Sequence, residues 1–193
     1  MKETSIILSG FGGQGTLFAG QVLAYAALDN GLNVTWIPSY GPEMRGGTAN
    51  CTVIISDEKI GSPLVRNPDV SVVLNLPSLD KYEKLTRPGG VLVANSSLIN
   101  RGLDRDDLEH LYIPANEIAE EIGLGRMANM VMIGGTLRLA PVLPLEVVKQ
   151  ALAEHIPERH RRTLPMNFDA MDRGYAFAEA QFLPGSRSLD FGT

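Results

Sequence analysis

The segment IILSGFGGQG, residues 6–15, constrains the fold more than any other part of the chain. A short isoleucine-rich run that ends at glycine is typical of a strand buried on both faces. Gly10, Gly12 and Gly15 satisfy the pattern G-x-G-x-x-G, and the residues after them have helical character. Such glycines allow a tight turn and let an anion approach backbone amides at a helix N-terminus. The segment therefore predicts a strand–loop–helix unit with an anion or nucleotide site.

Strands and helices are predicted to alternate along the rest of the chain. Further strands are expected over 33–38, 48–56, 70–75, 91–94 and 111–114, with a short antiparallel return over 60–64. Helices are expected over 15–29, 77–85, 115–122, 129–139, 145–155 and 167–182. The first two strands and their helix predict a parallel pair with a right-handed crossover. The pattern predicts an α/β fold, a three-layer α/β/α Rossmann-like domain over 1–183, with a mainly parallel sheet that pairing of 48–64 makes mixed. Residues 184–193 are expected to be a flexible or partner-docked tail.

Composition narrows the classes of function. A net charge of −5 argues against nucleic acid or an anionic membrane as the main partner. No apolar run approaches the roughly 20 residues that span a bilayer, and no signal peptide is apparent, so we expect a cytoplasmic protein. The single cysteine, Cys51, lies in an apolar strand and cannot by itself hold an iron–sulfur cluster. His110, His155 and His160 have no partners at metal-ligand spacing, so neither a metal site nor a complete catalytic set is expected.

Two common nucleotide sites are disfavoured. A dinucleotide site needs an acidic residue at the end of the second strand, and this strand ends Trp36-Ile37-Pro38-Ser39-Tyr40. A P-loop needs a Lys-Ser/Thr pair after the glycines, which is absent. A stand-alone nucleotide-binding dehydrogenase is therefore an alternative with little support. A loop that serves only strand–helix packing is a further alternative, although packing does not require Gly13 and Gln14.

A second unusual loop, residues 39–47, follows the second strand directly. It contains three glycines and a proline, and it presents Tyr40, Glu43 and Arg45. Since the carboxyl ends of parallel strands lie at one edge of a sheet, both loops are expected to share a crevice. Arg45 is suited to hold a phosphate or a carboxylate. A local ion pair between Glu43 and Arg45 is the alternative.

Together the two loops resemble the gamma subunit of 2-oxoacid:ferredoxin oxidoreductases. The resemblance extends over most of residues 5–180 and is closest to the 2-oxoglutarate or branched-chain 2-oxoacid subgroup rather than the pyruvate subgroup. Its motifs are Gly10-Phe11-Gly12-Gly13-Gln14-Gly15, Ser39-Tyr40-Gly41-Pro42-Glu43-Met44-Arg45-Gly46-Gly47, Ala49-Asn50-Cys51, Ile60-Gly61-Ser62-Pro63, Leu79-Asp80-Lys81-Tyr82 and Ala128-Asn129-Met130 with Gly134.

The resemblance implies a complex that decarboxylates a 2-oxoacid oxidatively, forms an acyl-CoA and reduces ferredoxin. It places thiamine diphosphate between alpha and beta subunits, and iron–sulfur clusters on a delta subunit or its equivalent. This chain is expected to bind coenzyme A and to be inactive in isolation. The expected contacts are the amides of Gly12, Gly13 and Gly15 and the side chains of Gln14, Tyr40, Arg45 and Asn129. Docking of the 39–47 loop on the thiamine-bearing subunits, or a purely structural subunit, are the alternatives.

Overall fold

The structure is a computed structural model that describes residues 3–41 and 47–182. Its strands are β1 (Thr4–Phe11), β2 (Asn33–Tyr40), β3 (Thr48–Ser56), β4 (Val70–Val73), β5 (Val91–Asn95) and β6 (Glu109–Ile113). Its helices are α1 (Thr16–Asp29), α2 (Leu76–Leu85), α3 (Ala115–Glu121), α4 (Ala128–Leu139), α5 (Leu145–His155) and α6 (Leu164–Gln181). Two 3-10 turns, Gly125–Met127 and Glu158–Thr163, precede α4 and α6.

The strands form one mixed sheet in the order β2-β3-β1-β4-β5-β6. Strands β1, β4, β5 and β6 are parallel, and β3 is antiparallel to both of its neighbours. The expected pairing of the first two strands is therefore wrong, because β3 returns from β2 and lies between them. Strands β1 and β2 still run in the same direction, so their carboxyl ends lie at one edge of the sheet.

One segment differs from expectation between β3 and β4. No strand forms over 60–64 in the described chain, where Gly61 and Pro63 interrupt the extended run. The apolar side chain of Leu64 in this segment is 83% exposed and is therefore not part of the core of the described chain. The tail 184–193 lies outside the described residues.

Helices cover the two faces of the sheet unequally. Helix α1 packs on one face together with α3 to α6, while α2 and the segment 96–108 cover the other face. Helices α4 and α6 cross closely at Gly134, where an added Cβ would lie 2.0 Å from the carbonyl oxygen of Met171. A side chain at this position would therefore prevent the two helices from packing this closely. No helix among the described residues has the length and apolar character that a membrane span requires.

Candidate functional site

The glycine loop joins β1 to α1 at the carboxyl edge of the sheet. Gly13 and Gly15 have φ angles of 102° and 76°, a left-handed conformation that favours glycine. Gly15 is the N-cap residue of α1 and supplies no side-chain hydrogen bond to the first turn. The amides of this turn are therefore not capped by a side chain, and the positive end of the helix dipole lies beside them.

The glycine loop contacts the end of the second loop. The Gly12 amide donates a hydrogen bond to the Gly47 carbonyl oxygen at 2.9 Å. Phe11 pairs with Thr48 in the sheet, and Tyr40 pairs with Ala49. At their described ends the two loops therefore lie side by side, which supports the expectation that they share one crevice. Residues 42–46, which include Glu43 and Arg45, lie outside the described residues, so the roles expected for them stay predictions.

A recess of about 690 Å³ opens between the glycine loop, α1 and β2. We call it the aromatic groove. It is lined by Gly12, Gly13, Gly15, Thr16, Leu17, Phe18, Trp36, Pro38, Tyr40 and Ala49. Tyr40 is 62% exposed at its rim, although it belongs to a strand. Four predicted contact residues, Gly12, Gly13, Gly15 and Tyr40, thus line the same recess.

Trp36 and Pro38 are groove residues for which the sequence predicted no role. They share one face of β2 with Tyr40, because alternate residues of a strand point to the same side. The period-2 spacing of Trp36, Pro38 and Tyr40 at the end of the strand was the available signal. Phe18 of α1 is half-buried and also lines the groove.

Cys51 lies beside the groove residue Trp36. An added Cβ at Gly20 would lie 2.3 Å from Cys51 Sγ and 3.3 Å from Trp36 Nε1, so α1 approaches β3 closely here. Burial raises the pKa of the Cys51 thiol to about 12, and its Sγ donates to the Thr16 carbonyl oxygen at 3.4 Å. A protonated, buried thiol is a poor nucleophile and a poor metal ligand.

Gln14 holds the glycine loop against the sheet. Its Oε1 accepts hydrogen bonds from the Phe11 amide at 2.6 Å and from Asn75 Nδ2 at 3.2 Å. Its Nε2 donates to the Leu74 carbonyl oxygen at 3.4 Å. The side chain therefore ties the loop to the end of β4. The predicted contact of Gln14 with a ligand stays a prediction.

Asn129 holds the loop from α4. Its Nδ2 donates to the Gly15 carbonyl oxygen at 3.1 Å, and the residue is only 6% exposed. An added Cβ at Gly15 would lie 2.5 Å from that nitrogen. The contact joins two parts of the chain that are 114 residues apart. It gives Asn129 a positioning role, and its predicted ligand contact stays a prediction.

A second recess of about 150 Å³ lies on the other side of the loop. We call it the polar cleft. Its lining consists of Gly13, Gln14, Leu74, Asn95, Asn116, Gly125, Arg126 and Ala128. It lies at the carboxyl ends of β1, β4 and β5, where α1 and α2 leave toward opposite faces of the sheet. Ligands of open α/β sheets bind at such a switch point.

The end of β2 does not suit a dinucleotide. Tyr40, not an acidic residue, ends the strand, and β3 separates it from β1. A dinucleotide site depends on an acidic residue there to bind the ribose hydroxyls. The geometry therefore gives the dehydrogenase alternative no support.

One histidine has a close partner that its sequence spacing does not show. His155 Nε2 lies 2.9 Å from Asp29 Oδ2, and its ring stacks on Tyr25 at 4.0 Å. Asp29, Glu154 and His155 together bring three potential ligand atoms within 4.8 Å of one another. The sequence shows no partner for His155 at metal-ligand spacing, because Asp29 is distant along the chain and only the fold brings it close. The His155–Asp29 contact joins the ends of α1 and α5 and accounts for the arrangement.

Sequence comparisons identify relatives over most of the chain. It matches the family described as Pyruvate ferredoxin/flavodoxin oxidoreductase over residues 5–177. It is 38% identical to the 2-oxoglutarate synthase subunit KorC of Methanocaldococcus jannaschii, with 90% of this chain and 93% of that protein covered. It is 44% identical to the ketoisovalerate oxidoreductase subunit VorA of Methanothermobacter marburgensis, with 72% of this chain and 29% of that protein covered. The chain thus spans less than a third of the VorA relative.

Solved structures share the fold. A keto/oxoacid ferredoxin oxidoreductase gamma subunit from Geobacter sulfurreducens has a TM-score of 0.78 at 31% identity, with 92% of this chain and 99% of that chain covered. The 2-oxoglutarate:ferredoxin oxidoreductase from Magnetococcus marinus, with 2-oxoglutarate, coenzyme A and succinyl-CoA bound, has a TM-score of 0.84 at 25% identity. That match covers 98% of this chain and 33% of the other. The expected α/β fold is confirmed.

Proposed function

The chain belongs to the pyruvate ferredoxin/flavodoxin oxidoreductase family, and from this membership we propose that it acts as the gamma subunit of a 2-oxoacid:ferredoxin oxidoreductase. The complex decarboxylates a 2-oxoacid oxidatively, forms an acyl-CoA and transfers the electrons to ferredoxin. The part of this chain in that reaction is to bind coenzyme A. The resemblance of the sequence to gamma subunits is confirmed by the comparisons.

The proposal rests on one observation: the glycine loop forms part of the lining of the aromatic groove. Coenzyme A combines an adenine ring, several phosphates and an extended pantetheine arm. Trp36 and Tyr40 offer aromatic surface for the ring. The loop amides and the N-terminus of α1 favour phosphate. The groove volume of about 690 Å³ lies within the usual range of small-molecule sites.

The remaining chemistry is assigned to other subunits. An iron–sulfur cluster takes several thiolates, and the one cysteine of this chain is buried and protonated. We therefore place the clusters, and thiamine diphosphate with its carbanion chemistry, on partner alpha, beta and delta-type subunits. KorC and VorA are named for 2-oxoglutarate and ketoisovalerate, which supports these two substrate classes over pyruvate.

Purification of the tagged chain from its own organism tests the assembly. We expect it to bring down subunits that carry thiamine diphosphate and iron–sulfur clusters, and the complex to form an acyl-CoA from 2-oxoglutarate or a branched-chain 2-oxoacid. Recovery of the chain without any such subunit would contradict the proposed role.

Calorimetric titration with coenzyme A tests the groove. Tyr40→Ala removes an exposed ring, so the protein should remain folded while its affinity for coenzyme A falls about three- to tenfold. Phe182→Ala is the matched control, because Phe182 is another exposed aromatic residue and lies outside the groove lining. Equal affinities in the two variants would favour the purely structural subunit. Tight binding of NAD instead of coenzyme A would favour the dehydrogenase.

A further inference from the structure

We infer that the polar cleft binds an anionic group of the same ligand, with Arg126 as the residue that pairs with it. This inference rests on the proposed binding of coenzyme A. The ligand then crosses the glycine loop, with its aromatic part in the groove and a phosphate in the cleft. Arg126 becomes a determinant of affinity that no sequence motif indicated.

Gly13 connects the two recesses. It is the one residue that lines both the aromatic groove and the polar cleft in the described part of the chain. An added Cβ at Gly13 would meet no atom within 4 Å, so the space above the loop is open. A single extended ligand therefore has a continuous path from one recess to the other.

The cleft presents hydrogen-bond donors. Asn95 is fully buried, and its Oδ1 accepts from the amides of Ser97 and Ala115, each at 3.2 Å. This fixes the Asn95 amide, so its Nδ2 must donate to Asn116 Oδ1, at 2.9 Å. Asn116 consequently keeps its own Nδ2 as a donor, with no acceptor among the described residues. The hydrogen bonds between these two asparagines thus leave a donor, and not an acceptor, in the cleft.

Arg126 gives the cleft its charge. It lies in the 3-10 turn before α4, is exposed, and forms no ion pair with any described residue. Among the described residues, the cleft lining contains no acidic side chain, so Arg126 makes this part of the lining positive. A guanidinium group binds phosphate or carboxylate through two parallel hydrogen bonds. The arrangement selects an anion.

The size of the cleft restricts what it holds. A volume of about 150 Å³ is well below that of typical small-molecule sites. The cleft therefore fits one anionic group and not a complete ligand. In coenzyme A that group is a phosphate, either the 3′-phosphate or part of the pyrophosphate.

Titration of Arg126→Gln with coenzyme A and with dephospho-coenzyme A tests the inference. We expect the affinity of the variant for coenzyme A to fall about tenfold, because a charge-assisted hydrogen bond is lost. If dephospho-coenzyme A binds both proteins equally, the 3′-phosphate occupies the cleft. If both ligands weaken alike, the pyrophosphate occupies it. Arg162→Gln is the control, since Arg162 is exposed in the other 3-10 turn.

Asn116→Asp provides an independent test. The carboxylate can still accept from Asn95 Nδ2, so the network is kept, but it replaces the free donor by a negative charge. Affinity for coenzyme A should fall at least tenfold with little change in melting temperature. Unchanged affinity in Arg126→Gln, together with a loss in Tyr40→Ala, would overturn the inference and leave the proposed function intact. No binding of coenzyme A by the wild-type chain or its complex would overturn both.

Discussion

The aromatic groove and the polar cleft flank the same glycine loop and differ in chemistry. On one side, Trp36 and Tyr40 line a large, mostly apolar recess. On the other side, Asn116 and Arg126 line a small polar one. The difference follows from the sheet, since β1 lies between antiparallel β3 and parallel β4. The β3 side of the loop therefore meets the start of a strand with the small residue Ala49, and the β4 side meets strand ends and polar caps.

Both recesses depend on the same loop conformation. Gln14 ties the loop to the sheet, and Asn129 ties it to α4. A ligand that carries an anionic group next to an aromatic ring matches this pair of recesses. Substitutions that move the loop should affect both sides, whereas substitutions in one wall should affect one side only.

Gly15→Ala should have the largest effect, because it disturbs both recesses. The alanine would adopt a φ near 76° and place its Cβ 2.5 Å from Asn129 Nδ2. We expect the free energy of unfolding to fall by about 2–4 kcal/mol, measured by urea denaturation. Affinity for coenzyme A should fall as well.

Gly31→Ala is the control for this change. Gly31 has a φ of 74°, and an added Cβ there meets nothing within 4 Å. The control substitution thus introduces the backbone strain without the clash, and it should lower the free energy of unfolding by about 1 kcal/mol. Equal losses in the two variants would mean that the contact with Asn129 has no part in holding the loop.

Gly20→Ala should affect the groove and spare the cleft. The new Cβ would lie 2.3 Å from Cys51 Sγ, so either α1 or the strands that carry Trp36 and Cys51 must shift. We expect a loss of about 1–3 kcal/mol in unfolding free energy. Adding Cys51→Ala removes the clashing sulfur and should restore part of this loss. The affinity difference between wild type and Arg126→Gln should persist in the Gly20→Ala background, and its disappearance would show that the two recesses are coupled.

The smallest effect on ligand binding is expected from changes in pH that concern Cys51. Its thiol has a pKa raised to about 12 by burial, whereas an unfolded cysteine ionises near pH ~8.5. At pH ~8 the folded thiol should react with a disulfide reagent on the order of a thousandfold more slowly than the unfolded chain. The Cys51 thiol ionises at a lower pH in the unfolded chain than in the folded protein. The free energy of unfolding should therefore fall as the pH rises from ~8.5 toward 12. Fast reaction of the native protein would contradict the burial.

The first strand, the glycine loop and the first helix follow from local sequence. A strand buried on both faces, a glycine turn and a helix stop at Asn30-Gly31 each have a local cause, and α1 ends at Asp29 as expected. The second strand extends to Tyr40, beyond the predicted end at Pro38. It continues because pairing with β3 satisfies the backbone of Ser39 and Tyr40, and a single-strand pattern contains no such information.

Long-range contacts account for what the sequence missed. Arg126 resembles an ordinary surface arginine in the sequence, and only the fold brings it to the loop at Gly13. Asp29 and His155 form a pair across 126 residues. The sequence predicted no role for Trp36, and only the packing of α1 against the sheet leaves a groove beside it. Each of these depends on which elements become neighbours.

The sequence by itself determined the α/β class, the position of the glycine loop and the family, because these depend on local patterns of glycine, burial and helix signals. The tertiary structure decided the insertion of β3 between β1 and β2, and with it the separation of an aromatic groove from a polar cleft. Strand order reflects the packing energy of the whole sheet, which no single segment specifies. The contacts of Gln14 and Asn129 with the loop were decided in the same way, by burial against distant strands and helices.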